Sequence, residues 1–453
     1  MFTLDEIIRS TGGKPAGGIA AGRTVAGVSI DSRTIVRGEA FIAIRGDNFD
    51  GHEFIPAAVR KGAACVIFEK GRFTGRLPRG VAGIAVEDGV RALEGIARFH
   101  RDRFAIPVIA VTGSNGKTTT KDMCAWALGG SFRLVGTQGT QNNHIGVPLT
   151  LLRLTPRDEA CVLELGSNHP GEIAERAATA GPSVGIITNI GPSHLEYFGG
   201  LAGVFREKYS LARALRAPGV LIVNADDPYL SRSLVAKKRK PFIISIGIQR
   251  PCDYRASGVL VKGLDTCFTL NGRSFRLATP GRHNVYNALA AIACCRLMGM
   301  GYGDIARRLA SFEFPAGRLK ASRVNGALFI DDSYNSSPAS LAQALAAVKG
   351  LGNRGRRILV MGDMLELGAR EAQFHRAAGR EAAGACTGLV AVGKLARLAR
   401  DAFIRAGGRA ADAYACDTAE EAKRIVFGIL APGKGDAVLV KGSRRMKLDL
   451  LLK

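Results

Sequence analysis

The segment Thr112-Gly113-Ser114-Asn115-Gly116-Lys117-Thr118-Thr119-Thr120 follows the apolar run 108–111 directly and leads into a helical segment. A strand, a glycine turn and Gly-Lys-Thr at a helix start make an anion site. Backbone N–H groups and the positive helix end face a phosphate, Lys117 reaches its terminal oxygens, and the Thr118 hydroxyl is placed to ligate Mg²⁺. The glycine spacing is G-x-x-G-K-T, with Val111 where the longer P-loop has its first glycine. Glu164 follows the apolar run 160–163, and His194 follows the run 184–188. A carboxylate at the C-terminal edge of a parallel sheet faces bound phosphates and can complete a Mg²⁺ site, and an imidazole third along that edge fits the same task.

The elements that must position these groups are legible as pattern. In residues 1–104, apolar runs at 25–30, 40–44, 64–68 and 81–86 alternate with glycine turns, and 91–103 has helical periodicity. Residues 104–107 read as a linker. Beyond it, strand candidates at 108–111, 160–163, 184–188, 220–223 and 242–246 are separated by helical stretches, the mark of a doubly wound parallel sheet. Helices at 284–298 and 303–311 close this part, and a Pro/Gly break at 314–319 opens a third α/β segment with strands at 327–330, 357–360, 388–392 and 437–440. The expectation is an α/β chain of three domains, 1–104, 105–315 and 316–453. The middle one is a P-loop-type parallel-sheet ATPase domain and the last is Rossmann-like.

Composition bounds the function. The 453 residues carry 63 Lys+Arg against 39 Asp+Glu, a net charge of +24. Residues 101–200, where the chemistry is concentrated, hold 8 basic and 8 acidic side chains, whereas 201–315 hold 18 and 7. The excess lies downstream, partly in clusters such as Lys237-Lys238-Arg239-Lys240, with few aromatics near them to stack bases. This reads as a solvated basic surface rather than a nucleic-acid face. Nine scattered cysteines form neither a zinc spacing nor a disulfide framework, and no signal peptide or apolar run of spanning length is present. The expected protein is cytoplasmic, monomeric and not inserted in a membrane.

The loop T-G-S-N-G-K-T-T-T-K resembles that of the Mur ligase family, the amide-forming enzymes of cell-wall precursor synthesis, and of folylpolyglutamate synthases. The family resemblance implies ATP as cosubstrate, bound by Gly113, Ser114, Asn115, Gly116, Lys117, Thr118 and Thr119, and two Mg²⁺ ions held among Thr118, Glu164, His194 and Lys208. Lys208, in Phe205-Arg206-Glu207-Lys208-Tyr209-Ser210, matches a lysine carbamylated in the family, although Ser210 stands where relatives commonly carry an acid. His283-Asn284-Val285-Tyr286-Asn287-Ala288-Leu289 resembles the family's H-N-x-x-N-A-L helix. Asn284 and Asn287 lie three apart on one face, where amides can read an adenine edge. Asp331-Asp332-Ser333-Tyr334-Asn335 resembles D-D-x-Y-N, which places Asp332 and Asn335 at the ribose, and Arg318 matches an arginine that reaches the terminal phosphate when the domains close.

Four segments narrow the expected acceptor. Residues 29–55 look like a UDP-binding domain, which folylpolyglutamate synthases lack. Gln141-Asn142-Asn143-His144-Ile145-Gly146-Val147-Pro148 resembles N-N-x-I-G-V-P, Gly362-Asp363-Met364-Leu365-Glu366-Leu367-Gly368 matches G-D-M-x-E-L-G, and Lys441-Gly442-Ser443-Arg444 matches K-G-S-R. Together they resemble the family member that adds D-alanyl-D-alanine to UDP-N-acetylmuramoyl-tripeptide. Ser32, Arg33, Thr137, Asn142, Asn143, Lys441 and Ser443 are the expected substrate contacts. For Asp31 and His52 a turn-capping and a structural role stand beside a binding one. A P-loop NTPase that drives motion, or a ligase of a single amino acid, are the competing classes.

Overall fold

The strand Val108–Thr112 is wholly buried, as a strand built on a four-residue apolar run inside a parallel sheet must be. The computed structural model describes residues 1–16, 22–46, 48–236, 241–352 and 355–452, so the basic run 237–240 lies outside the described residues. The chain divides into two compact units. One comprises Met1–Val108, Val135–Leu165 and Glu175–Pro182; the other comprises Ile109–Leu134, Gly166–Ala174 and Ser183–Lys453.

In the first unit a five-stranded sheet runs in the order Lys14–Pro15, Ala82–Val86, Cys65–Glu69, Ala40–Ile42, Val28–Ser29, parallel except for its first pair. Alternate side chains face opposite ways along a strand. Accordingly Ala40, Ile42, Cys65 and Ile67 join one apolar cluster while Phe41, Ala43, Val66 and Phe68 join another. The helix Gly89–Arg101, capped by Asp88, packs into the former cluster.

In the second unit Tyr254–Arg255, Phe242–Gly247, Val220–Asn224, Val184–Ile187 and Ile109–Thr112 pair in that order, all parallel. A further sheet runs Lys320–Val324, Ala327–Asp332, Ala437–Lys441, Arg357–Gly362, Gly388–Val392, Ala413–Cys416, parallel beyond its antiparallel first pair. The last strand in sequence is thus inserted between the strands that precede and follow helix Pro338–Lys349. That reversal creates a crevice at the strands' C-terminal ends, where open α/β sheets bind ligands. An antiparallel sheet of Ser257–Lys262, Asp265–Leu270 and Arg273–Leu277, with Phe268 and Phe275 stacked at 5.2 Å, was not foreseen from the sequence. The α/β class with parallel sheets matches expectation. Among the described residues no helix is long and apolar enough to cross a membrane.

The expected linker at 104–107 is held by Arg101. This residue is 4% exposed, and its guanidinium donates to the carbonyls of Phe104 (2.8 Å), Ile106 (3.3 Å), Ala180 (3.0 Å) and Gly181 (3.3 Å). Carbonyls that lose such a donor inside the protein are left unpaired. Arg101→Ala is therefore expected to lower unfolding stability by about 2–4 kcal/mol in a denaturant titration, well beyond the typical surface substitution.

Candidate active site

Adjacent parallel strands put two loops side by side. Ile187 stands opposite Thr112, so the segments starting at Gly113 and Thr188 leave the sheet together. Gly113 has φ 140°, and a Cβ there would stand 2.1 Å from Thr188 Oγ1, so only glycine fits. The loops are then bonded to each other. Ser114 N–H donates to Asn189 O (3.0 Å) and Asn115 N–H to Asn189 Oδ1 (3.0 Å). Thr188 Oγ1 (2.6 Å) and Asn189 Nδ2 (2.9 Å) both donate to Asn115 O. Ser114 Oγ donates to Gly191 O and accepts from Gly191 N–H, each at 2.9 Å.

These bonds correct one expectation. The amides of Ser114 and Asn115 are directed at Asn189, not toward a phosphate. The anion-facing donors are the first turn of helix Lys117–Leu128, whose N-cap Gly116 provides no side-chain cap. Lys117 Nζ donates to Gly113 O (2.8 Å) and Ser114 O (3.1 Å), folded over its own loop. Asn287 supports the turn from behind: its Oδ1 accepts from Thr120 Oγ1 (3.1 Å), and a Cβ on Gly116 would lie 2.5 Å from that oxygen. Asn287 Nδ2 donates to Asn284 Oδ1 (2.9 Å), and both residues are buried, so Asn287 buttresses the loop rather than presenting its amide outward.

Three contacts bring residues beyond 316 onto this loop system. Arg318 Nη2 donates to Thr118 Oγ1 (2.8 Å) while its guanidinium lies 4.4 Å from the Tyr334 ring centre. Ser337 Oγ donates to Asn115 Oδ1 (3.1 Å). Glu366 Oε2 stands 2.7 Å from His194 Nδ1. Burial pulls the His194 pKa down, Lys117 and Lys208 pull the same way, and Glu366 opposes them. Lys208 is 1% exposed and donates to Ser167 Oγ (2.7 Å).

At the reversal crevice Asp332 and Lys441 are register partners, and Lys441 Nζ meets Asp332 Oδ2 (2.5 Å) and Asn335 O (3.0 Å). Burial pushes the Asp332 carboxyl up, with Lys441 opposing it. Asn335 Oδ1 accepts from Ser336 N–H at 2.8 Å. Ser443 Oγ accepts from Leu365 N–H at 3.0 Å. Lys441 and Ser443, expected at a substrate, are buried in this structure, bonded to Asp332 and to the 362–368 turn.

In the first unit Glu164 is 1% exposed. Its Oε1 accepts from Asn142 Nδ2 (2.6 Å), its N–H donates to Thr137 Oγ1 (3.0 Å), and its Oε2 is buried with no hydrogen-bond partner. An orphaned carboxylate oxygen of this kind suits a cation. Thr137 and Asn142 thus position Glu164, and Asn143 Oδ1 accepts from Gly146 N–H (2.8 Å) at the start of helix Gly146–Leu151. Arg33 meets Asp31 through three side-chain bonds (2.9, 3.3 and 2.8 Å), and these with the Arg33 N–H lower the Asp31 carboxyl to about 2. Ser32 stands in the same turn. His52 accepts from Glu69 N–H (3.0 Å) at Nε2 and faces Asp50 (2.6 Å) with Nδ1, a structural role. Sequence reasoning missed Thr188 and Asn189, which bond the two loops together and carry neither charge nor motif glycine to mark them. Among the described residues no three His, Cys, Asp or Glu side chains converge as a ready-made metal cluster. The candidate cation ligand of the first unit is therefore Glu164 Oε2; those of the second unit are the Thr118 hydroxyl and the His194 imidazole.

A parallel sheet whose first loop is G-x-x-G-K-T, closed over by an arginine from a second α/β sheet, defines a nucleotide-phosphate-binding protein of the P-loop class. Three family models match in order: the Mur ligase family catalytic domain at 24–101, the Mur ligase middle domain at 111–295 and the Mur ligase glutamate ligase domain at 317–444. The chain belongs to the Mur ligase family. A relative from Bacillus subtilis (strain 168), named UDP-N-acetylmuramoyl-tripeptide–D-alanyl-D-alanine ligase, is 35% identical over 438 residues, spanning 94% of this chain and 92% of the relative. A crystal structure of MurF from Acinetobacter baumannii is 32% identical with a TM-score of 0.90, covering 100% of this chain and 98% of that one. MurF ligase from Thermotoga maritima, solved in complex with ADP, is 27% identical with a TM-score of 0.83, covering 94% of this chain and 96% of that one.

One titration at the site has a definite sign. Burial, with the Lys441 cation adding to it, lowers the His283 pKa to about 4 from 6.5. Between those values the unfolded chain holds the proton and the folded chain does not, so stability falls as pH drops through that window and levels off below it. The thermal midpoint of the wild type is expected to decline from about pH 7 to about pH 4, more steeply than that of His283→Gln. Parallel declines would contradict the shift.

Proposed function

We propose that this chain joins D-alanyl-D-alanine to UDP-N-acetylmuramoyl-tripeptide at the expense of ATP, giving UDP-N-acetylmuramoyl-pentapeptide, ADP and phosphate in peptidoglycan precursor synthesis. The observation that carries the reading is Arg318, from the glutamate ligase domain, donating to Thr118 of the phosphate loop in a chain similar end to end to such ligases. The domains are assigned as 1–104 for the UDP-linked acceptor, 105–315 for ATP and 316–453 for the incoming dipeptide.

The reaction has two displacements. An acceptor carboxylate oxygen attacks the γ-phosphorus and ADP leaves; the dipeptide amine then attacks the acyl carbon, phosphate leaves and the nitrogen loses a proton. The first step concentrates negative charge at the phosphoryl oxygens. The helix start at residues 117–119 is held ready for that charge by the bonded loop, and Lys117 and Arg318 stand where each can turn onto it. Lys117 exchanges the carbonyls of Gly113 and Ser114 for phosphate oxygens. Magnesium, proposed at Thr118, Glu164, His194 and Lys208, supplies charge neutralisation to the phosphates, and two ions are assigned. Asn142 orients Glu164 for this. Asn284 is assigned to the adenine edge with Asn287 behind it, and Asp332, held by Lys441, to the ribose with Asn335.

Lys208 is proposed to be carbamylated: its amine nitrogen bonds to the carbon of CO₂ and releases a proton, leaving an anion. That chemistry suits an amine buried beside Ser167, where an ammonium is poorly solvated. Acceptor contacts are assigned to Ser32 and Arg33, with the 137–143 segment contributing through Thr137, Asn142 and Asn143. Ser443 acts through the turn that it holds. Monomeric action in the cytoplasm, without nucleic acid, belongs to the same proposal.

Phosphate release in the presence of ATP, Mg²⁺ and UDP-muramyl-tripeptide is expected to require D-alanyl-D-alanine, and Lys117→Ala is expected to abolish it while the circular dichroism spectrum is retained. Release that ignores the dipeptide, or that nucleic acid stimulates, would sink the reading. Lys208→Ala is expected to lose activity that short carboxylic acids partly restore. A fully active variant would remove the carbamate.

A further inference from the structure

His194 and Glu366, in facing segments, are two non-glycine residues with left-handed backbone, at φ 48° and φ 63°. A side chain disfavours that conformation, and it persists where the surroundings impose it. Around Glu366 they do. Leu365 N–H is held by Ser443 Oγ (3.0 Å), Met364 N–H by His375 Nε2 (2.9 Å), and Met364 and Leu367 are buried in the apolar core. Gly368, at φ 61°, lets the same turn approach Glu196, where a Cβ would meet Glu196 Cα at 3.8 Å. Between these anchors the Glu366 carboxylate, half-exposed, is aimed at His194 Nδ1, 2.7 Å away. The approach is close without the alignment of a finished hydrogen bond. A small ring rotation completes it, and bonds of this kind commonly tighten only when a site is loaded.

We propose that Glu366 is a positioning residue for phosphoryl transfer. Its carboxylate holds His194 as the Nδ1–H tautomer and leaves the Nε2 lone pair available, so that docking of the 362–368 turn sets the imidazole. The inference rests on the reading of His194 as a magnesium ligand given above. A histidine ligand whose second nitrogen donates to a carboxylate has its tautomer and orientation fixed, and loss of the partner costs about 10–100-fold in affinity or activity. Phe198, edge-on with its centre 6.4 Å from the His194 ring, limits the ring's alternatives.

The decisive measurement uses the full-length chain free of nucleotide and metal. Imidazole ¹⁵N–¹H correlation spectra report the His194 tautomer, with the signals assigned by their loss in His194→Gln. The wild type is expected to show the Nδ1–H form and Glu366→Ala to shift toward Nε2–H. Glu366→Gly, which tolerates the left-handed backbone, should match Glu366→Ala, whereas Glu366→Gln, whose amide oxygen still accepts, should retain much of the wild-type signal. In the ligase assay Glu366→Ala is expected to lose about 10–100-fold in kcat, with KM for dipeptide and acceptor changed less than about twofold. An unchanged tautomer in Glu366→Ala and Glu366→Gly, or a kcat within about twofold of wild type, would overturn the proposal. If the wild type releases no dipeptide-dependent phosphate, the ligase reading fails by itself. The ligand-free tautomer comparison still decides whether Glu366 sets the ring.

Discussion

The contact on which the site depends is the one between Gly113 and Thr188. Their strands are parallel neighbours, so both loops emerge at one height, and the missing Cβ of Gly113 lets Thr188 close to within bonding distance of the phosphate loop. Every later feature follows from that closure. Asn189 and Gly191 can reach Ser114 and Asn115 only because the two backbones run together, and their bonds fix where Gly116 turns into the helix. A helix start aimed in advance needs no rearrangement as charge develops, which is the condition for electrostatic stabilisation to be effective.

The lysines of this region share a second regularity. Lys117 lies on the carbonyls of its own loop, Lys208 on Ser167 and Lys441 on Asp332. Each cation is met by an oxygen of the protein, as buried charge requires. The net charge of +24 is not concentrated around the phosphate loop. The stretch that holds the phosphate loop, Glu164 and His194 is balanced, and the excess sits downstream in residues 201–453.

Much of this was legible beforehand. The parallel strands read as short buried apolar runs because both their faces are covered, and the phosphate loop follows from glycine spacing at a strand end. The three-stranded sheet at 257–277 was not legible, since its outer strand holds only the apolar triplet Val259-Leu260-Val261, exposed or half-buried, and gives no buried run. Nor could spacing say which motif residues touch a ligand and which hold the ones that do. An amide, hydroxyl or ammonium satisfies a backbone group as readily as a substrate. In this structure Asn287 bonds to Thr120, Asn143 to Gly146 N–H, Ser443 to Leu365 N–H, Lys441 to Asp332 and Asn142 to Glu164. Thr188 and Asn189 carry no motif glycine or charge to mark them, yet they bear most of the loop's bonds.

The Arg318–Thr118 bond gives the two sheets of the second unit a competition to resolve. Thr118 Oγ1 accepts from a guanidinium in this structure, and the same hydroxyl is the one proposed above to hold magnesium. A cation held at that oxygen would repel the guanidinium and release Arg318 from Thr118. Phosphate oxygens then become the acceptors nearest to its fork, and bidentate phosphate pairing is stronger than a single hydroxyl bond. The Tyr334 ring keeps the guanidinium over the site during that exchange, at 4.4 Å. The contacts Ser337–Asn115 and Glu366–His194 involve neither Arg318 nor the Thr118 hydroxyl and need not break with it. Displacement of one arginine therefore does not require undocking of the segment that carries it: the residues beyond 316 can stay seated while Arg318 passes from protein oxygen to phosphate oxygen.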